Sequence, residues 1–304
     1  MDLTEPVLEI KGWDELPQAT RELWQGKLAN VNLPPLVSEL LAARLDSETF
    51  DPRDMAVLAS RDPVLGAKLL AVANSARFGL TTPMTSIQRS VVHLGFNLVR
   101  TIMVAYSLES TFGRMASIDR NHLNQVRWWS SGASVLAFHW AQAADLPDPS
   151  TAATAALLGL LGTLVLGLAQ PSPGAAYFDL PDGVSRLQYE SSAWQVTSPL
   201  LGCLLATNWG LPAPLPTFIS RQWEPLCRPL AVHYETRPLV LIGAAVTLIG
   251  HVLADHDVSV GQVLDRQEYR VLKSNLADNR LLDELLSVWS RPRFRRELLA
   301  AMSE

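Results

Sequence analysis

Residues 61–98 read RDPVLGAKLLAVANSARFGLTTPMTSIQRSVVHLGFNL, and the fold class turns on this stretch. Asp62 followed by Pro63 is a helix start. A carboxylate at the N-cap accepts from the free amides of the first turn, and a proline at the next position has no donor to lose. From there Leu65, Leu69, Val72, Ala73 and Ala76 recur at three- and four-residue spacing, which predicts one apolar stripe, and Gly79 falls where a helix is usually stopped. Ser86 predicts the cap of a second helix, with Gln88 and Arg89 in its first turn and Val91, Val92 and Leu94 on its buried side. Gly95, lacking a β-carbon, predicts a change of direction into the segment Phe96–Leu108. Asn74, Ser75, Phe78 and Gly79 read as a helix-ending turn packed on its neighbour, because short polar side chains near helix ends usually satisfy backbone groups.

Outward from this stretch the pattern stays helical and predicts an all-α protein. Residues 13–30 form an amphipathic lead-in. Asp51-Pro52 repeats the cap-and-proline device, fencing a short helix with Met55 and Leu58 inward. Beyond Phe112 two longer helices are expected at Asn121–Ala144 and Thr151–Leu168, with Asp145–Pro149 between them, and Gln170–Gly183 reads as a surface loop. Two apolar runs, Ala152–Ala169 and Leu239–Ala254, approach the length of a membrane span. The first has no flanking Lys or Arg and no aromatic anchors, and glycines at 159, 162 and 167 suit a helix crossed closely by others. Both runs are expected as core helices, with no membrane span.

With 304 residues and 48% hydrophobic content the chain can bury a large core. The net charge of -5, with only four lysines among 25 basic residues, gives no electrostatic case for nucleic acid as the main partner. The N-terminus lacks a basic start followed by an apolar run, so a cytoplasmic protein is expected. Cys203 and Cys227 belong to no metal or redox motif and read as reduced, buried thiols.

The order of residue types in 61–98 resembles the HDOD family, all-helical bacterial signalling proteins related to the HD metal phosphohydrolases. The resemblance rests on Asp62, Pro63, Leu69, Leu70, Asn74, Ser75, Ala76, Phe78, Gly79, Ser86, Ile87, Leu94 and Gly95, and on Leu33-Pro34-Pro35-Leu36 as the opening. It implies a multi-helix HD-like bundle over 33–225, preceded by a lead-in helix at 1–32 and followed by a helical extension at 226–304 packed on it.

HD hydrolases hold divalent metal with histidines and an adjacent His-Asp pair, because activating water takes several lone-pair donors. The resemblance assigns those donors to positions where this chain has other residues. A ligand histidine falls on Ser130, in Trp128-Trp129-Ser130-Ser131. The His-Asp pair falls on Gly159 and Leu160, a further histidine on Ser198, and a His-His pair on Gln222 and Trp223. No catalytic residue, metal ligand or cofactor is therefore expected, and the domain is expected to signal by binding a protein partner. The alternative is a metal-dependent phosphohydrolase with a displaced or residual site.

Other chemistry is thin. His93 sits in a helical stripe and suits a core or capped imidazole, and His251, Asp255, His256 and Asp257 read as the polar exit of a buried helix. No nucleophile elbow, phosphate loop or dinucleotide fingerprint is present. Two surface features remain. Arg291, Arg293, Arg295 and Arg296 read as a solvated helix start able to grip a phosphorylated or acidic partner. Trp128 and Trp223 near Arg221 could form a stacking pocket for a nucleotide, such as a cyclic dinucleotide, or for a protein loop.

Overall fold

The structure, a computed structural model, describes residues 12–29, 31–32, 52–60, 63–81, 84–112, 119–169, 173–180, 183–211, 213–231, 236–254 and 258–302. Leu33–Leu36, Asp51, Asp62 and Asp255–Asp257 lie outside them. The described residues are helical and include no strand.

After a 3-10 turn at Trp13–Glu15, α1 (Gln18–Leu28) buries Trp24 and Leu28. Helices α2 (Pro52–Ser60), α3 (Pro63–Ala73) and α4 (Ile87–Leu94) pack on one another. Met55 and Leu58 of α2 and Leu65, Leu69, Val72 and Ala73 of α3 face inward as the spacing demands. Each fully buried leucine contributes about 1.5–3 kcal/mol relative to exposure. Ser86 accepts from the Arg89 amide at 3.3 Å and starts α4. Gly95, at φ 83° and ψ 151°, ends it, and α5 (Phe96–Phe112) leaves at 114° to α4.

Helix α6 (Arg120–Ala143) runs through the middle, packed against α5, α7 (Pro149–Leu158), α14 (Thr236–Ala254), α17 (Leu282–Trp289) and α18 (Pro292–Ala301). Between α7 and α14 lie α8 (Leu161–Leu166), α9 (Ala175–Phe178), α10 (Gly183–Trp194), α11 (Ser198–Asn208), α12 (Leu215–Arg221) and α13 (Glu224–Cys227). Between α14 and α17 come α15 (Val260–Leu264) and α16 (Arg270–Asp278). Thr236–Leu253 of α14 has the length and apolarity of a membrane span, and 72% of that window is buried inside the fold, where a core helix belongs. Helix α8 crosses α11 so closely that a β-carbon on Gly162 would run into the Ser198 carbonyl.

The structure departs from the sequence expectations at several places. Helix α3 stops at Ala73, so Ala76 leaves the apolar stripe and lies exposed in a 3-10 turn, Ala76–Phe78, that Gly79 ends at φ 61°. Val92 is 66% exposed and His93 is also exposed, because α4 turns Ser90, Val91 and Leu94 inward and the residues between them outward. The run expected as one helix, Thr151–Leu168, breaks at Gly159–Leu160, where the Gln222 side chain takes the Gly159 carbonyl. The Gln170–Gly183 segment contains α9, whose Tyr177 is 2% exposed, so it is no mere surface loop. Cys227 is buried, while Cys203 is half-buried.

Candidate functional site

The signature turn is a structural joint. Asn74 donates from Nδ2 to the carbonyls of Leu70 (2.9 Å) and Met84 (2.7 Å), and its Oδ1 accepts from the Met84 amide at 2.6 Å. One side chain thus closes the end of α3 and ties it to the strand of chain leading into α4. Phe78 packs on the core and meets His93 edge-on at 5.5 Å, and Ser75 Oγ is buried without a protein partner. Pro63 begins α3.

The positions that the resemblance assigns to metal ligands are buried in the core, and two of them, Gly159 and Gln222, are in direct contact. Gln222, 1% exposed, donates from Nε2 to the Gly159 carbonyl at 2.5 Å, and a β-carbon on Gly159 would collide with its Oε1. The Gln222 carbonyl in turn occupies the space a β-carbon on Gly243 of α14 would need. Trp223 lies over Gly183, again where a β-carbon would go, and meets Trp129 edge-on at 6.4 Å. Ser130 and Leu160 are buried. Amide, indole and alkyl groups thus fill this region, and it offers hydroxyls but neither imidazole nor carboxylate from the assigned positions. Among the described residues no group of three or more His, Cys, Asp and Glu is placed to hold a metal ion.

Ser198 leads to a cluster the sequence reading missed. Glu190, 1% exposed, accepts from the Tyr177 hydroxyl (2.6 Å), the Ser198 amide (2.6 Å) and Ser198 Oγ (2.8 Å). Burial outweighs these bonds and lifts its carboxyl from 4.5 to about 7. Burial, and then the neighbouring Glu190, raise the Tyr177 hydroxyl well above its ordinary value. Close by, the Arg186 guanidinium donates to the carbonyls of Phe178 and Leu180 and lies 4.3 Å over the Trp129 ring. His122 Nε2 donates to the Thr163 carbonyl at 2.7 Å, its ring meets Phe178 edge-on, and burial lowers its proton affinity. The signal was available. In α10 the buried positions Gly183, Arg186, Leu187, Glu190 and Trp194 follow helical spacing, and a glutamate on such a stripe must be partnered or neutral.

The three residues of the expected stacking pocket have separate partners. Arg221 is forked onto Glu224, with both bonds at 2.9 Å, and Trp223 is 4% exposed between Gly183 and Trp129. Trp128 lies under the Arg127 guanidinium at 5.7 Å. Of the C-terminal arginines, Arg293 donates Nε to Glu297, Arg295 donates Nε to the Trp289 carbonyl, and Arg291 reaches Ser287 Oγ. His251 meets the Tyr269 hydroxyl at 2.6 Å.

These helices define an all-helical domain with the Asn74 turn at one of its helix ends. A family model described as HDOD domain matches residues 31–225, and the chain belongs to the HDOD family. In fold it is similar to an HDOD domain protein of unknown function from Geobacter sulfurreducens, at 17% identity and TM-score 0.62 over 90% of this chain and 96% of that one. It is also similar to a protein from Shewanella amazonensis SB2B named as a candidate phosphohydrolase (20% identity, TM-score 0.57, 92% and 98% covered). A third likeness is to a Marinobacter aquaeolei VT8 protein named as a candidate signal transduction protein (18%, 0.54, 90% and 66%). No functionally curated protein matches the chain.

Proposed function

We propose that this HDOD protein is a non-catalytic output component of bacterial signal transduction that acts in the cytoplasm by binding protein partners. This reading is supported by the residues at the positions the resemblance assigns to metal ligands, Ser130, Gly159, Leu160, Ser198, Gln222 and Trp223, none of which carries an imidazole or carboxylate, and by the direct contact of Gln222 with Gly159. Installing a histidine at Gly159 would require expelling Gln222, so the loss is built into the packing rather than confined to one substitution. Glu190 supplies a carboxylate beside Ser198. It is committed to Tyr177 and Ser198, and burial lifts its carboxyl to about 7, so it makes a poor ligand for a cation. In this reading residues 33–225 form the signalling domain and 226–304 a helical extension that completes its core, with no resident metal or cofactor and no role for nucleic acid or a membrane.

The test is elemental analysis of the purified protein together with a phosphodiesterase and nucleotidase screen. Metal below stoichiometric amounts and no turnover with added divalent cations is the expected result. Stoichiometric metal, or turnover abolished by chelation, would replace this reading with that of a phosphohydrolase with a displaced site.

A further inference from the structure

We propose that the cleft between the α4–α5 corner, α6 and α18 binds a nucleoside monophosphate, with the phosphate at Arg291 and Arg293 and the base against Phe96 and Phe138. The cleft has a volume of about 430 Å³. Small-molecule sites typically run from about 300 to 1,000 Å³. It lies apart from the Trp128, Arg221 and Trp223 positions.

The chemistry of its walls is uneven in a way that selects a ligand. One end carries cations. Arg291 and Arg293 are exposed beside the cleft, and Arg293 gives only its Nε to Glu297, at 2.8 Å, so its terminal nitrogens remain for a ligand. The Glu297 carboxylate does not cancel them, since it is shared between Arg293 and His139 Nε2 at 2.6 Å. Burial pushes that carboxyl up, but the hydrogen bonds from His139 and Arg293 prevail and hold it below its ordinary value, so it stays ionised and fixes both side chains. A guanidinium matches a phosphate in two-point geometry better than any other side chain does. The start of α5 also lines the cleft, where Gly95 is the N-cap and has no side chain to accept from the first-turn amides. This end adds to the positive potential without defining the site.

The cleft also suits a planar ring. Phe96 and Phe138, both half-buried, line it. Asn97 also lines the cleft. Phosphate alone would use the arginines but not the rings, whereas a free nucleoside would use the rings without the arginines.

This proposal deepens the reading of the protein as a binding module by naming a ligand that could set its state, and the two can fail separately. The experiment is titration calorimetry of the full chain with AMP, GMP, adenosine and inorganic phosphate, repeated on Arg291→Ala, Arg293→Ala and Phe138→Ala. Both arginines are exposed, so their variants keep the fold, which circular dichroism verifies. The expected result is that one mononucleotide binds at least tenfold tighter than adenosine or phosphate. Each arginine variant should then lose about tenfold in affinity, as for a charge-assisted bond. No heat with either mononucleotide, phosphate binding as tightly as a mononucleotide, or binding unchanged in both arginine variants would each overturn the site. Hydrolysis of a bound nucleotide would leave the cleft standing and remove the non-catalytic reading instead.

Discussion

Replacing Glu190 by glutamine should flatten the dependence of stability on pH. The carboxyl is lifted from 4.5 to about 7 by burial, so between those values the folded protein holds a proton that the unfolded chain has released. The stability linked to that proton is fully present below about pH 4.5 and is lost as the pH rises through about 7. A tenfold change in proton affinity is worth about 1.4 kcal/mol, so the loss amounts to roughly 3 kcal/mol, a large part of the stability of an ordinary domain. Glutamine has nearly the same shape. Its oxygen can accept from the Ser198 amide, and its amide can donate to the hydroxyls of Tyr177 and Ser198 that now bond Glu190, so the network is rewired rather than broken. His122, whose proton affinity is lowered by burial, contributes a slope of opposite sign, and comparing wild type with Glu190→Gln cancels it. The assay is urea unfolding followed by tryptophan fluorescence at pH 5, 6, 7 and 8. The variant should gain on the wild type by roughly 3 kcal/mol across that range. Parallel curves for the two proteins would refute the claim that Glu190 is buried with its proton.

Other substitutions probe the joints. Gly95→Ala forces a side chain into φ 83°, ψ 151°, a region nearly restricted to glycine, and should cost about 1–3 kcal/mol by urea denaturation, against no change if the corner relaxes. Asn74→Ala removes the bonds to Leu70 and Met84 and should lower stability by about 1–2 kcal/mol, with faster amide exchange at Met84 as the local sign. Gln222→Ala leaves the Gly159 carbonyl buried without its donor and opens a void beside it; a loss of about 2–4 kcal/mol is expected in thermal unfolding, and a near-neutral result would mean that the contact is not a lock.

The sequence is legible where the physics is local. The Ser86 cap, the turn at Gly95 and the inward faces of α2 and α3 depend on residues within one or two helical turns, and each appears in the structure. Structure departs from sequence expectation where distant chain decides the outcome. Nothing near Gly159 announces that an amide from Gln222, 63 residues on, will take its carbonyl and interrupt the helix. Val92 looks like its neighbour Val91, and only the angle at which α4 lies on α2 and α3 separates them. Tyr177 was hidden in a stretch whose prolines and glycines suggested a loop, although its partner Glu190 stood out on an otherwise buried stripe. The positions assigned to ligands rest on resemblance alone, whereas the closing of Gln222 on Gly159 is a three-dimensional fact.

The contacts around Trp129 and Asn275 set a limit on dissection. The Trp129 indole donates to the Val246 carbonyl at 2.5 Å, and its ring fills the space beside Gly250. Asn275 bonds the carbonyls of Pro225 and Arg228 and the amide of Leu230, stitching α13 to α16. A fragment trimmed at residue 225 would therefore strip the cover from α6 and leave apolar side chains and an indole N–H facing water. The stretch matched by the family model, 31–225, is shorter than the unit that must fold, and expression of that stretch alone should give aggregates where the whole chain gives a monodisperse species.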